Sequence, residues 1–445
     1  MRPTRRPRRA AGVAAVVALA ALLAAVALLR RVSDTLPPLA RTWPPQQPAS
    51  PAPAAHQIAV RNVDGVATLV ERATGRPFVT RGANYVRLAE QRKPSGQMVL
   101  YHATFNVGTY DRRRTEAVLR RMHADGYNTV RLFIDGLCAT ACAGDPAGGI
   151  SRAYAANVAD CLRRAKAAGL LAILTTDYVP ATEGYAASLG AGAGPDFAGN
   201  NINYLTTAGV RVNAEFWRDL IIALRAESAP LDDVLTYEVR NELRFDAASA
   251  PLTLTTGLVR TATGRSYDMA SRSDGARMLD DGVVFWLSRV RAAIRSVDPT
   301  ALVAVGLPQP PAQPVRGLDP VRYRAVIERS NVDLVDLHFY PGQGIGLAAY
   351  ARAAGFAAGP PRPLLLGELG VTTAVAVSAP AALATLRANV LDSCRYGIRG
   401  WLLWTWDTTE QPGFWNARSD GGVIERGLSP ARLAESCANQ AAALR

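Results

Sequence analysis

Lysine is almost missing from this chain. Lys93 and Lys166 stand alone among 50 basic residues, and the others are arginine. Histidine is scarce as well. His56, His102, His123 and His338 have no zinc-ligand spacing to the cysteines, so no metal or other cofactor is expected. Basic runs and basic–aromatic alternation are absent beyond the N-terminus. More than half of the net charge of +13 sits in seven arginines of residues 1–31, a stretch without a single acid. A nucleic-acid partner is therefore not expected. There is no internal repeat and no sign of a second globular domain. The five cysteines, Cys138, Cys142, Cys161, Cys394 and Cys437, suit an oxidising compartment without demanding one. Cys138 and Cys142 share a loop and could bridge locally. Cys394 and Cys437 lie on late helical segments and could tie down the C-terminus, leaving Cys161 a buried free thiol. Spacing alone does not decide the connectivity.

What is present begins with an address. Residues 11–29 are an uncharged apolar run about one bilayer long, preceded by five arginines and followed by Arg30-Arg31. The positive-inside rule puts the N-terminus in the cytoplasm and the remainder outside. The run is longer than the apolar region of a signal peptide. Arg30-Arg31 stands where a small-residue cleavage site belongs. The reading is an uncleaved, single-pass anchor of the cytoplasmic membrane in residues 1–31, with secretion after signal cleavage as the alternative. Residues 32–56 form a Pro/Ala-rich linker. Residues 57–445 carry the remaining domain, 445 residues being a length that large α/β barrels reach.

Two short β-like runs around Asp64-Gly65 predict a hairpin ahead of the main fold. Eight strand patterns then alternate with helical ones: residues 78–86, 129–135, 169–178, 235–245, 301–307, 332–340, 363–371 and 400–407. Helical spacing is read near 113–126, 153–167, 214–227, 276–296, 320–329, 346–356, 379–396 and 429–444, and residues 189–203 read as a loop. This is the (β/α)₈ pattern of a TIM barrel, with long insertions near 88–112 and 243–275 in the strand-to-helix loops, where such barrels build their sites. Two strands end in carboxylates: LTYEVRNELRF reaches Asn241-Glu242, and PLLLGELGV reaches Glu368. Paired carboxyls on one barrel face suit acid/base and nucleophilic work on a glycosidic bond.

RGANY, NTVRLF, YEVRNE, DLHFY, GELG and WLLWTW, in this order, resemble a clan A glycoside hydrolase, most nearly family 5, the cellulase and mannanase group. The resemblance spans roughly residues 75–410. It implies a retaining β-glycosidase with Glu242 as acid/base and Glu368 as nucleophile. It further implies Arg131 and Tyr340 keeping Glu368 ionised and Asn241 on the sugar 2-hydroxyl. His338 touches the sugar or its neighbours, and Trp404 floors the subsite, with Trp406 as the other choice. Arg131 could also neutralise Glu238 inside the barrel. Asp336 and Asp407 also end strands and are second candidates. Two departures stand out. Leu243 follows Glu242 where the family often has proline, and strand three carries Asp177-Tyr178 where the family often has histidine. The latter pair is expected to contact substrate and to alter its choice. The expected partner is an extracytoplasmic polysaccharide or oligosaccharide of glucan or mannan type. A non-catalytic glycan-binding barrel and a transglycosylase of envelope assembly are the rival readings.

Overall fold

The computed structural model describes residues 54–431, apart from 94–95, 139–140, 191–192 and 314–316. The expected anchor at 11–29, nearly all of the linker, Cys437 and most of the expected helix near 429–444 lie outside the described residues. Among the described residues no helix is long and apolar enough to cross a membrane.

The expected hairpin is formed by β1 (Ile58–Val63) and β2 (Val66–Glu71), joined through Asp64 and Gly65, both at positive φ. Such a turn matches the twist of the strands it joins. Ile58 and Leu69 of the hairpin pack with Leu171, Leu235, Leu302 and Leu334 at the N-terminal end of the barrel. His56, just before the hairpin, pins it there: its ring contacts the Val234 carbonyl at 2.7 Å and Asp298 at 3.0 Å.

The chain continues through β3 (Thr80–Asn84), a hairpin of β4 (Leu88–Arg92) and β5 (Met98–His102), then β6 (Thr129–Ile134), β7 (Leu171–Thr176) and β8 (Val234–Glu238). A second small hairpin, β9 (Leu258–Arg260) and β10 (Ser266–Asp268), precedes β11 (Val303–Leu307), β12 (Leu334–Phe339), β13 (Leu364–Leu369) and β14 (Ile398–Leu403). Strands β3, β6, β7, β8, β11, β12, β13 and β14 close into a parallel barrel in that order. The eight expected barrel strands are all there. They read as apolar runs because both faces are buried, one inside the barrel and one under the helices. Both insertions place their hairpins after the C-terminal ends of barrel strands, β3 and β8 respectively.

The main helices start at side-chain caps. Asp111, Ser151, Thr206, Ser271 and Ser378 each accept a hydrogen bond from a first-turn backbone N–H. Three local expectations differ from the structure. The expected loop at 189–203 contains the start of a short helix, Asn201–Leu205. The expected helix at 320–329 is reduced to one π-helical turn, Ala325–Arg329. The last described helix is Ser419–Leu428, ahead of the expected one. Cys138 and Cys142 are disulfide-bonded and Cys161 is a buried free thiol. Cys394 is disulfide-bonded too.

Candidate active site

Along β6 every second residue points into the barrel, and Arg131 is one of these. A lone buried guanidinium is costly, so its donors must all find acceptors. They do. Nη1 donates to Glu368 at 2.8 Å and to Asn84 at 2.9 Å. Nη2 donates to Glu238 at 2.6 Å and to Asn241 at 2.5 Å, and Nε to Glu238 at 3.1 Å. Asp336 adds a third carboxyl, 3.3 Å from Nε. Burial lowers the Arg131 pKa, and the three facing acids more than restore it. One cation thus gathers residues from β3, β6, β8, β12 and β13.

Glu368 is 4 % exposed. One of its oxygens accepts from Arg131 and the other from the Tyr340 hydroxyl at 2.5 Å. Glu242 follows β8 and is more open to solvent. The His338 Nδ1 stands 3.1 Å from Glu242 and 3.3 Å from Glu368, so the imidazole bridges the two carboxyls. An oxygen of each carboxyl lies within 4.8 Å of the other. Six of the expected residues, Arg131, Asn241, Glu242, His338, Tyr340 and Glu368, therefore meet at the C-terminal end of the barrel.

The electrostatics reverse one expectation. Arg131 and Tyr340 do contact Glu368, yet its pKa lies above the ordinary value. Burial raises it, the nearby Glu242 adds to the rise, and the opposing pull of His338, Arg131 and Tyr340 does not offset them. Glu242 lies below its ordinary value: burial would raise it, but the His338 contact prevails. His338 itself is raised, its burial being outweighed by the two glutamates.

The other candidates separate. Trp404 is at the mouth, edge-on to Phe133 at 5.8 Å, and shares a cluster with Val86, Leu88 and Phe133, against which Tyr340 packs. Trp406 is not at the site: it packs edge-on against Tyr127 in the outer core, since both tryptophans lie beyond the end of β14, where strand alternation no longer sets the face. Asp407 is a loop clamp, held by Arg87 and Arg114. Asp177 accepts from the Tyr101 hydroxyl at 2.5 Å and lies 3.7 Å from His102, while Tyr178 lies under Arg240 at 5.2 Å. Tyr101 and His102 come from β5. Nothing local in the sequence announced them, since only the hairpin's docking brings them beside β7. Asn84 was legible in principle as the third inward position of β3, after Thr80 and Gly82.

A family model described as Cellulase (glycosyl hydrolase family 5) matches residues 93–409. No curated protein matches the chain. Among solved structures, an endo-1,4-β-mannanase from Rhizomucor miehei is similar with a TM-score of 0.54 at 14 % identity, covering 82 % of this chain and 97 % of its own. An exo-β-1,4-mannosidase from Opitutaceae bacterium strain TAV5 gives 0.51 at 19 % identity over 81 % of this chain, which spans 59 % of that longer protein. An endo-1,4-β-D-mannanase from Thermotoga petrophila RKU-1 gives 0.50 at 16 % identity, covering 80 % of this chain and 100 % of its own. These likenesses concern the fold.

Proposed function

Since the chain belongs to the cellulases of glycosyl hydrolase family 5, and is thereby an O-glycosyl hydrolase, we propose that it cleaves a β-linked glycan of glucan or mannan type with retention of configuration. The observation that carries this reading is the spacing of Glu242 and Glu368, whose oxygens approach within 4.8 Å. Double displacement uses carboxyls about 5–5.5 Å apart, whereas inversion needs about 6.5–9.5 Å to admit a water.

Glu368 is the nucleophile. Arg131 and Tyr340 hold its two oxygens in one orientation, so the attacking atom is fixed before substrate arrives. Glu242, at the more open side where leaving group and water pass, is the acid/base. In the first step a Glu368 oxygen bonds to the anomeric carbon, and the bond to the leaving oxygen breaks as Glu242 protonates it. In the second, Glu242 takes a proton from water, which attacks the same carbon and frees Glu368. The pair works with one proton between its two members. In the free site that proton is favoured on Glu368, and His338, within reach of both, is the bridge by which it passes to Glu242. Substrate that excludes water at Glu242 drives the transfer, because burial disfavours its charge. Asn241 contacts the sugar 2-hydroxyl, Trp404 walls the subsite, and Asp177 with Tyr178 selects among sugars.

The domain works outside the cytoplasmic membrane, anchored by residues 11–29 through the linker. The arginine-flanked apolar run and the Cys138–Cys142 bridge support that placement.

The test is a fluorosugar inactivator followed by mass spectrometry of the digest. Glu368 should carry the label, and NMR should show a product of unchanged anomeric configuration. Glu368→Gln should cost several powers of ten in kcat, roughly what loss of a covalent step costs. A label on another carboxylate, or an inverted product, overturns the assignment. β-Mannan and β-glucan lead the substrate panel, and elongated products rather than cleavage would mark a transglycosylase.

A further inference from the structure

The ladder between β12 and β13 is irregular at the site. Asp336 pairs with Leu365 and Leu337 with Leu366, but His338 pairs with Glu368, so Gly367 is passed over. The alternation of β13 records the same event. Leu365 belongs to the cluster inside the barrel, and Leu364, Leu366 and Leu369 to the outer one. Strict alternation would turn Glu368 outward. The extra residue, Gly367, reverses the parity and aims Glu368 at the mouth.

That bulge has a specific support. Its N–H, left out of the ladder, donates to Asp336 Oδ1 at 2.5 Å. Its carbonyl accepts from Asn84 at 2.8 Å. A Cβ on Gly367 would lie 1.7 Å from Asp336 Oδ2, so the Asp336 carboxyl occupies the space of the missing side chain. The second oxygen raises a question of charge. As a carboxylate, Asp336 Oδ2 is buried without a hydrogen-bond partner. Arg131 Nε is 3.3 Å away but is already committed to Glu238 at 3.1 Å. The Glu238 carboxyl is the next neighbour: an oxygen of each lies within 4.8 Å of the other, and the two interact as hydrogen-bonding partners. Two carboxylates in that position repel, whereas an acid and a carboxylate share a hydrogen.

We propose that Asp336 is a positioning residue for the reaction: a neutral carboxylic acid that holds the Gly367 bulge through one oxygen and donates to Glu238 through the other, fixing the orientation of Glu368. This rests on the reading of Glu368 as nucleophile. The charged surroundings agree. Glu238 from β8, Glu368 from β13, Arg131 from β6 and His338 from its own strand surround Asp336, and Tyr350 lies in the helix behind. Burial and then Glu238 push the Asp336 carboxyl well above the usual carboxylate range, against Arg131. With Asp336 neutral, Arg131 has one negative neighbour fewer.

Asparagine is the probe, because its oxygen can accept from Gly367 and its NH₂ can donate to Glu238, as the neutral acid does. Asp336→Asn should keep most of kcat. Asp336→Ala should lose on the order of 10²-fold in kcat, the rough cost of a displaced reacting group, with little change in KM. At neutral pH the infrared spectrum of the full protein should contain a protonated-carboxyl band that is missing from Asp336→Asn. Absence of that band, or an Asp336→Asn enzyme that folds and binds normally but has lost kcat, overturns the neutral acid. An Asp336→Ala enzyme with wild-type kcat overturns the positioning role. If Asp336→Ala does not fold, the asparagine variant and the infrared band still decide. Fluorosugar labelling of wild type is the separate control: a label away from Glu368 sinks the nucleophile reading, whatever the Asp336 variants do.

Discussion

Arg131 shows how much one residue can organise. Its five donors serve Asn84, Glu238, Asn241 and Glu368, and a third acid crowds the same guanidinium. Removing one partner of such a network leaves the others buried and unpaired. Arg131→Met should destabilise the domain by about 3–5 kcal/mol, read from urea unfolding. A loss under about 1 kcal/mol would mean that the acids find other partners. His338 sets the pH response. As a cation between the glutamates it holds both pKa values down, so His338→Ala should raise that of Glu368 further. Because the working free site carries one proton on the pair, the acidic limb of kcat/KM reports Glu242 gaining a second proton and the basic limb Glu368 losing the first, so both limbs should move to higher pH; unmoved limbs would assign them to other groups. His102 makes a prediction about stability. Burial drops its pKa to about 4, from an ordinary value near 6.5. The folded state thus binds fewer protons than the unfolded chain between these values. Its contribution is complete above pH 6.5 and is lost as pH falls toward 4, on the order of 3 kcal/mol in all. Thermal melts from pH 7 to pH 4 should therefore show a smaller acid-induced drop in His102→Gln than in wild type.

At the scale of elements, the strands were legible because burial on both faces writes itself as apolar runs such as PLLLGEL. The π-helical turn at Ala325–Arg329 was not legible, since its local spacing reads as ordinary helix. The bulge at Gly367 was hidden too. Its sequence sign is a glycine before a glutamate, and its cause is a carboxyl on the neighbouring strand. Gly367→Ala should unseat Asp336 and abolish activity. In an Asp336→Ala background the clash is relieved, so adding Gly367→Ala there should cost much less than it does in wild type. A double-mutant cycle on the melting temperature measures this coupling, and simple additivity would show that the two positions do not compete for one space.

For the molecule as a whole, the anchor and the barrel are separable propositions. Full-length protein should sediment with membranes and resist extraction by salt, and a chain starting at residue 54 should be soluble and equally active, because the linker precedes the first strand of the fold. A full-length protein released by salt would remove residues 11–29 as an anchor. A truncated protein that folds but fails to turn over substrate would tie the linker to the site.

The sequence by itself determined the barrel, the membership of its strands, and the two glutamates, Glu242 just beyond β8 and Glu368 near the end of β13. Apolar periodicity and strand-end polarity are local properties, readable one segment at a time. The tertiary structure decided what depends on neighbours far along the chain: Trp404 rather than Trp406 at the mouth, His102 beside Asp177, and Asp336 in the space left by Gly367. It also decided the charge states. Glu368 was expected low from its partners, yet it lies high, because its burial and the nearness of Glu242 are properties of the closed barrel alone.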